Sequence, residues 1–370
     1  MIRALTLSSY ITRVFLAAAL VVLVALTLLV GLFDFIELLR RAATKPDVSF
    51  GLVSTIAALR LPWMSITILP FAVLLGGIGA FWRLTRSSEL VVARAAGISA
   101  WQFLALPVGA AALLGMLAMT VISPLSSVML SRAEQLDNIY LRTSGGPMRL
   151  AGGQLWLRQS DPGLDPHGVS IIHAMQVAAH KNSLQASSIT VFRLDSEDRL
   201  VQRIEAATAR LVSGQWVLDN ARVLRPSHLP DPPHTVEIPT DLTVRRIQES
   251  FASPDTLSFW SLPDFIRLLD RSGFSSLRHR LRFQSLLALP LLCATMALVA
   301  AGFSMRPSRR GGVAKMIGSG VAAGFCLFVV SKVAEEFGQS GTVPVVLAAW
   351  APSVAGLMLA VALLLHLEDG

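Results

Sequence analysis

Six long apolar runs constrain this chain more than any other feature of its sequence. A helix that crosses a hydrocarbon core of ~30 Å needs ~20 apolar residues, and the runs have about that length without the alternation of a barrel strand. They extend over Tyr10–Leu39, Leu61–Leu84, Phe103–Val128, Phe283–Phe303, Met316–Val333 and Val343–Leu367. We therefore predict a membrane α-helical protein with six transmembrane helices, three on each side of a polar middle segment.

The composition excludes an ordinary soluble enzyme. Only 15% of the 370 residues are charged and 53% are hydrophobic, whereas soluble proteins carry about 25% charged residues. Residues 134–280 contain equal numbers of acidic and basic residues, so the net charge of +8 belongs to the rest of the chain. A positive excess confined to the lipid-embedded part indicates orientation by the positive-inside rule and anionic lipid partners, and argues against nucleic acid.

Basic residues in the short connections between the runs predict the orientation of the chain. The connections between the second and third runs and between the fourth and fifth runs contain Arg83, Arg86, Arg94, Arg306, Arg309, Arg310 and Lys315. The positive-inside rule then places both termini in the cytoplasm and the middle segment outside, in the periplasm of a Gram-negative inner membrane. The connection after the first run is basic yet external, with Arg40, Arg41 and Lys45. That exception requires an explanation.

The polar middle segment is predicted to be a β domain. Apolar and polar residues alternate in short stretches such as 154–158, 189–194 and 215–218, with turn residues between them. This pattern is typical of a sandwich or jelly roll. The side chains expected to face inward are Trp156, Ile172, Val191, Phe192, Trp216 and Leu218. They form either a groove for acyl chains or a closed core.

Three parts of the chain follow from these patterns. Residues 1–136 hold the first three membrane helices, residues 137–260 the β-jelly-roll domain, and residues 261–370 a linker helix and the last three membrane helices. Within the second run, Pro62 and Pro70 are expected to interrupt the helix, because proline removes a backbone donor.

No motif in the sequence predicts catalysis. It contains no phosphate-binding Gly-x-x-x-x-Gly-Lys loop, no His-Glu-x-x-His pair and no Gly-x-Ser-x-Gly elbow. Both cysteines, Cys293 and Cys326, lie in apolar runs, so the middle segment has no disulfide framework and no thiolate metal site. We expect a chain that is not an enzyme, with no cofactor or metal, and with the energy for any work that it does supplied by another protein.

The connection between the second and third runs predicts a short cytoplasmic helix near residues 87–97. A serine can cap its start and a glycine its end. Glu89 falls in the first turn, where the helix dipole favours an anion, and Arg94 is expected to be exposed with it. Leu90 and Val91 are available for a groove in a partner. The pattern fits equally a helix that docks on a partner and one that packs against its own bundle.

In these features the chain resembles the LptF/LptG permeases of the lipopolysaccharide exporter. The resemblance covers essentially the whole chain and includes Ser-Glu-Leu-Val-Val-x-x-x-x-Gly at 88–97. A second match is Leu-Pro-Asp-Phe-Ile-Arg-Leu-Leu at 262–269, followed by Gly273 and by Pro290 and Leu291. The residues of the first motif are more similar to those of the G-type subunit than to those of the F-type.

The resemblance implies a function and a set of partners. The chain would form a heterodimer with an F-type paralogue on two copies of a cytoplasmic ABC ATPase, with Glu89 meeting a basic residue of the ATPase groove. The β domain would share its fold with periplasmic bridge proteins, one of them membrane-anchored. The heterodimer would extract lipopolysaccharide from the inner membrane and pass it to that bridge for transport to the outer membrane.

The resemblance also gives the external basic residues a role. It places Arg40 and Arg41 at the lipid A head group, and a guanidinium pairs with phosphate oxygens through a planar fork of donors. Two positions depart from the family, because Asp34 and Trp63 stand where lysine is expected. Either the phosphates of the substrate differ in place or number, or Arg60 supplies the missing charge.

Other interpretations of the same residues remain open. Arg132, just outside the third run, is a further candidate for lipopolysaccharide binding. Arg40, Arg41 and Arg132 are also consistent with ordinary snorkelling at the membrane surface. For the whole chain, the alternatives are a polytopic scaffold or sensor with a periplasmic binding domain, and a permease for another lipid or for lipoproteins.

Overall fold

The computed structural model divides the chain into two compact units. One consists of Met1–Leu141, Pro254–Pro263 and Leu277–Gly370, and the other of Arg142–Ser253 and Asp264–Ser276. The residues that the structure describes are 2–43, 45, 48–89, 99–141, 148–151, 154–161, 168–180, 183–197, 199–212, 214–226, 230–240, 253–271, 275–304 and 313–368.

Long helices build the first unit. They are α1 (Ile2–Ala42), α2 (Phe50–Arg86), α3 (Ala100–Leu117), α4 (Ser123–Leu136), then, after the shorter α5 (Leu262–Arg271), α6 (Leu277–Ser304), α7 (Val313–Gln339) and α8 (Val345–Glu368). A π-helical segment, Ala118–Ile122, joins α3 and α4 into one continuous helical run, and a second, Asp137–Leu141, extends that run beyond α4. Within the described residues, six helical stretches are long and apolar enough to cross a membrane. The six predicted spans are confirmed.

The helices extend beyond the apolar runs that predicted them. Helix α2 begins well before Leu61, at a cap where Ser49 Oγ accepts a hydrogen bond from the Leu52 N–H at 3.2 Å. The expectation that Pro62 and Pro70 interrupt this span is wrong, since both lie inside one unbroken helix. In lipid, backbone groups must be satisfied within the segment, so neighbouring turns retain the helix around a proline.

Glycines bring the backbones of neighbouring helices close together. A Cβ atom built on Gly76 of α2 would lie 2.4 Å from the Ala19 backbone of α1. A Cβ on Gly115 of α3 would lie 2.6 Å from the Pro290 backbone of α6. Small residues permit this close packing, which drives helix association in lipid.

A tryptophan satisfies the backbone where the third span changes pitch. Pro124 has no N–H, so the Thr120 carbonyl has no i+4 donor within the helix. The Trp260 Nε1–H donates to this carbonyl at 3.2 Å. The neighbouring Phe259 N–H donates to Ser123 Oγ at 3.2 Å. The segment before α5 is therefore attached to the junction of α3 and α4.

The second unit contains a seven-stranded antiparallel sheet. Its strands are β1 (Met148–Ala151), β2 (Gln154–Ser160), β3 (Val169–His180), β4 (Ser183–Leu194), β5 (Leu200–Val212), β6 (Gln215–Leu224) and β7 (His234–Pro239). Each strand pairs with the next in sequence. The predicted β domain, inserted between two sets of three membrane helices, is confirmed.

One face of the sheet forms the core of this unit. Trp216, Leu218, Ile172 and Val191 are buried there, and α5 contributes Leu269 to the same cluster. The prediction that Trp156 and Phe192 also face this core is wrong, as their positions in the strands show.

Trp156 and Phe192 lie on the opposite face of the sheet. Successive strand residues point to opposite faces, and Leu155, Leu157 and Val191 already occupy the buried one. Trp156 is 43% exposed and its ring lies 4.1 Å from that of the cross-strand His173. The side chains of Trp156 and Phe192 therefore line neither the core nor a groove within it.

Candidate functional site

A cluster of charged side chains joins the end of α1, the first half of α2 and the end of the third span. At its centre is Arg60 of α2, whose side chain is only 13% exposed. Its Nη1–H donates to Asp34 Oδ1 at 3.0 Å and its Nη2–H to Asp137 Oδ2 at 3.3 Å. The Asp137 side chain is 1% exposed. Two carboxylates thus hold Arg60 inside the helix bundle.

The other two arginines of this cluster lie closer to its surface. Arg41 Nη1 is 3.9 Å from Asp137 Oδ1, and Arg41 Nε is 3.4 Å from Glu37 Oε1. Arg40 donates from Nε and Nη2 to the two oxygens of Glu37, each at 2.9 Å. The Arg40 side chain is 77% exposed. Solvent exposure within the cluster therefore decreases from the exposed Arg40 of α1 to the buried Arg60 of α2.

The free-energy cost of breaking each of these ion pairs depends on how deeply the pair is buried. An exposed pair such as Arg40–Glu37 contributes about 0–1 kcal/mol. Removing one partner of a buried pair costs about 3–5 kcal/mol, because a charge is left uncompensated in a medium of low dielectric constant. A ligand phosphate can therefore replace Glu37 on Arg40 at little cost, whereas separating Arg60 from Asp137 is expensive.

The two departures from the family pattern both lie beside this cluster. Asp34 and Asp137 bind the same guanidinium, that of Arg60, through different nitrogens. Arg60 therefore balances the negative charge of the acidic residue at position 34. Trp63, one turn further along α2, has a buried Nε1 with no hydrogen-bond partner among the described residues. With Glu37, the cluster has as many carboxylates as guanidiniums, and its formal charges cancel.

Arg132 lies apart from the cluster. It is five residues before Asp137, and so roughly 140° around the helix axis from it. It lines a groove of about 760 Å³ on α4 together with the hydroxyls of Ser131, Ser258 and Ser261. Within the described part of the chain, Arg132 forms no ion pair. The structure therefore brings together Arg40, Arg41 and Arg60, and places Arg132 on another face.

Of the predicted coupling segment near residues 87–97, the structure describes only residues 87–89. Helix α2 ends at Arg86, and the chain turns at Ser88, which has a φ of 62°. Glu89 follows, half-buried, and its Oε1 accepts a hydrogen bond from Ser87 Oγ at 2.8 Å. Leu90, Val91 and Arg94 lie outside the described residues.

The membrane face of α1 next to the charged cluster is apolar, and none of the residues that the structure describes covers it. Its exposed side chains include Leu28, Leu29, Leu32, Phe33 and Ile36. Such a surface requires lipid or another apolar partner. Arg40 and Arg41 form a rim above this apolar helix face. The formal charge of the whole cluster is zero, but the mostly exposed Arg40 gives the rim a cation for a ligand with an anionic head group and acyl chains.

Sequence reasoning missed Asp137 as the residue that connects Arg41 to Arg60. It follows Leu136 in a polar stretch, and nothing in its neighbours shows which helix it faces. The only signal was a carboxylate close to the membrane end of a span, where an unpaired charge is costly. That signal indicates a partner but does not identify it.

Fold and site together define a multi-pass helical membrane protein with an inserted β domain and a charged cluster at the ends of its first three spans. A family model described as "Lipopolysaccharide export system permease LptF/LptG" matches residues 9–366. The chain belongs to this family of permeases of the lipopolysaccharide export system, and is a multi-pass protein of the inner membrane.

Curated relatives have the same extent as this chain. It is 23% identical to the lipopolysaccharide export system permease protein LptG of Escherichia coli strain K12 over 369 residues, covering 97% of this chain and 98% of that protein. It is 24% identical to LptG of Haemophilus influenzae over 363 residues, covering 94% of this chain and 95% of that protein. These relatives are subunits of a transport system, and no enzyme activity is part of their names.

Proposed function

We propose that this chain is the G-type permease subunit of an ATP-driven lipopolysaccharide exporter. The observation that carries this proposal is the family match from residue 9 to 366, which includes all six spans and the β domain. Relatives named LptG support the G-type assignment. The subunit pairs with an F-type paralogue and draws energy from a cytoplasmic ABC ATPase dimer. It delivers lipopolysaccharide to a membrane-anchored periplasmic bridge.

Arg40 and Arg41 are the proposed ligands of the lipid A phosphates. Arg40 is the more exposed, and its exposed pair with Glu37 can be exchanged for a phosphate with little loss of free energy. A charge-assisted fork of N–H donors to phosphate is stronger than a neutral hydrogen bond. In the absence of a phosphate, the carboxylate of Glu37 binds the Arg40 guanidinium and fixes its position.

Arg60 has a different proposed role, as a positioning residue. Its ion pairs with Asp34 and Asp137 fix α1 and the third span around α2. They thereby set the spacing between Arg41 and the bundle, since Asp137 also faces Arg41. In this arrangement Arg60 contributes to lipopolysaccharide binding through the shape of the rim.

Arg132 is proposed as a second contact point for the sugar head group. Its groove offers one guanidinium and several hydroxyls, which suit a phosphorylated or hydroxyl-rich ligand. The apolar face of α1 receives acyl chains, and each CH₂ removed from water contributes about 0.8 kcal/mol. An apolar receiving surface is therefore needed before several chains can leave the bilayer.

Glu89, on the cytoplasmic side, is the proposed contact through which the ATPase moves this subunit. We assign Glu89 to a basic residue of the ATPase groove, with Leu90 and Val91 as apolar contacts and Arg94 beside them. ATP-driven movement of this segment would be transmitted to α2 and to the third span, which it connects in sequence.

Photocrosslinking of lipopolysaccharide tests the assignment of the rim. In the complete exporter, R40E/R41E is expected to reduce crosslinking to the rim several-fold, because two attractive charges become repulsive. E37Q removes the competing carboxylate and should retain or increase crosslinking. R210E, an exposed arginine of β5, is the matched control for charge reversal. Unchanged crosslinking in R40E/R41E would reduce both arginines to membrane anchors.

Charge reversal at Glu89 tests the coupling assignment. E89R should still assemble with its partners at the level needed for purification, but lose most ATP-dependent release of lipopolysaccharide from proteoliposomes. E336R, an exposed carboxylate of α7, provides the control. Normal release by an assembled E89R exporter would contradict the docking role of Glu89.

A further inference from the structure

A groove of about 530 Å³ lies between the first half of α1 and the last part of α2, away from the charged cluster. Its wall is built of small and apolar residues, Ala17, Ala18, Val21 and Gly79 among them. Arg13 and Arg83 also line it. Because α1 and α2 run antiparallel, these two arginines lie at the same end of the groove.

Gly79 makes the groove open and accessible. A Cβ atom built there would meet no atom within 4 Å. At Gly76, one turn earlier, a Cβ would lie 2.4 Å from the Ala19 backbone. Gly76 therefore serves close helix packing, whereas the absence of a side chain at Gly79 leaves space against the exposed face of α1.

The two arginines of this groove are not neutralised by the described part of the chain. Both are exposed, and neither forms an ion pair with a described carboxylate. This distinguishes them from Arg40, Arg41 and Arg60, each of which faces at least one carboxylate. Two uncompensated guanidiniums at one end of an apolar groove attract a ligand that is anionic at one end and apolar along its length.

We propose that this groove is a binding site for an anionic glycerophospholipid of the surrounding membrane. One acyl chain lies along Ala17, Val21 and Gly79, and the phosphate lies between Arg13 and Arg83. Basic pockets between membrane helices bind anionic lipid head groups, and the volume falls within the range of ~300–1,000 Å³ typical of ligand sites. The lipid is a resident of the site and not the exported cargo, so the inference goes beyond the proposed function.

Charge favours a lipid over a helix of a partner subunit as the occupant. An apolar helix laid in the groove would leave both guanidiniums without a counter-charge. A lipid phosphate accepts hydrogen bonds from both forks. Tyr10 lines the same groove one helical turn before Arg13, on the side away from Ala17 and Val21, and so lies at the head-group end of the site, where tyrosine is enriched in membrane proteins.

Native mass spectrometry of the full-length chain in detergent tests this site. Phosphatidylglycerol and phosphatidylcholine are added separately, and the number of retained lipids is counted. We expect the unaltered chain to retain one additional phosphatidylglycerol. In R13Q/R83Q this retention should fall by roughly tenfold, because both attractive charges are lost. Added glycerol 3-phosphate should not displace the lipid, since it lacks the acyl chain that fills the groove.

A second pair of variants tests the groove separately from the charges. G79L places a side chain in the open space and should reduce phosphatidylglycerol retention as strongly as R13Q/R83Q. G109L is the matched control, because Gly109 of α3 is exposed and its Cβ would also meet no atom within 4 Å. It should leave retention unchanged.

Several outcomes would overturn the proposal. Equal retention of the two lipids, or full phosphatidylglycerol retention in R13Q/R83Q, removes the anionic site. Unchanged retention in G79L shows that no chain enters the groove. Displacement by glycerol 3-phosphate shows a site for free phosphate. In the complete exporter, photocrosslinks from position 79 to the paralogous subunit instead of lipid would show that a helix covers the groove. None of these measurements requires export, so each result is independent of the proposed function.

Discussion

At the scale of single residues, the same amino acid serves different purposes according to its burial. Arg40 and Arg60 both face carboxylates, yet the first is mostly exposed and the second is 13% exposed. Solvent screens the first pair, and a phosphate can compete for it. Burial makes the second pair costly to open, which supports the proposal that Arg60 holds three helices together.

This difference predicts the effect of two substitutions on stability. D137A removes the more deeply buried of the two carboxylates on Arg60 and should lower the free energy of unfolding by about 1–3 kcal/mol, because one guanidinium N–H loses its partner while Asp34 still balances the charge. E37A removes an exposed partner and should cost less than about 1 kcal/mol. Denaturant titration of the purified chain in detergent, followed by tryptophan fluorescence, measures both. Equal effects of the two substitutions would show that burial does not determine the role of Asp137.

At the scale of elements, the alternation along each strand decides which side chains form the core of the β domain. Trp216 and Trp156 are equally large and lie in one sheet, in β6 and β2, but Trp216 is fully buried and Trp156 points to the other face. Sequence hydrophobicity cannot distinguish them. Only the position of each residue in its strand, relative to the buried face, does so.

The two tryptophans therefore form a matched pair for a test of the core. W216A removes a fully buried ring and should destabilise the β domain by about 3–5 kcal/mol. W156A removes a half-exposed ring and should cost about 1 kcal/mol or less, since surface substitutions have small effects. Thermal unfolding followed by circular dichroism in the β region compares them. A larger loss in W156A would mean that the buried face is assigned incorrectly.

At the scale of the whole molecule, the orientation in the membrane decides what each part can reach. In the proposed function, the coupling segment meets an ATPase in the cytoplasm and the β domain meets a bridge in the periplasm. Six spans place the two connections on opposite sides, because the β domain follows an odd number of crossings and the coupling segment an even number. The proposed mechanism requires this arrangement.

Cysteine labelling in intact cells tests the orientation. In a chain with Cys293 and Cys326 replaced by alanine, S196C in the exposed turn between β4 and β5 should react with a membrane-impermeant maleimide that enters the periplasm. S87C, exposed at the end of α2, should react only after the inner membrane is permeabilised. The reverse labelling pattern would place the β domain in the cytoplasm and refute the export mechanism.

The sequence alone determined the six spans and the inserted β domain, because both follow from local patterns. Apolar length predicts a membrane helix, and alternation with turn residues predicts strands. The family motifs at 88–97 and 262–269 are equally local.

Only the tertiary structure decided which charges meet. Asp34, Arg60 and Asp137 are far apart in sequence, and their ion pairs exist because α1, α2 and the third span pack side by side. The same holds for Trp260 and the Thr120 carbonyl, and for the groove at Gly79. Such contacts depend on helix packing and rotation, which the order of residues within a single helix does not specify.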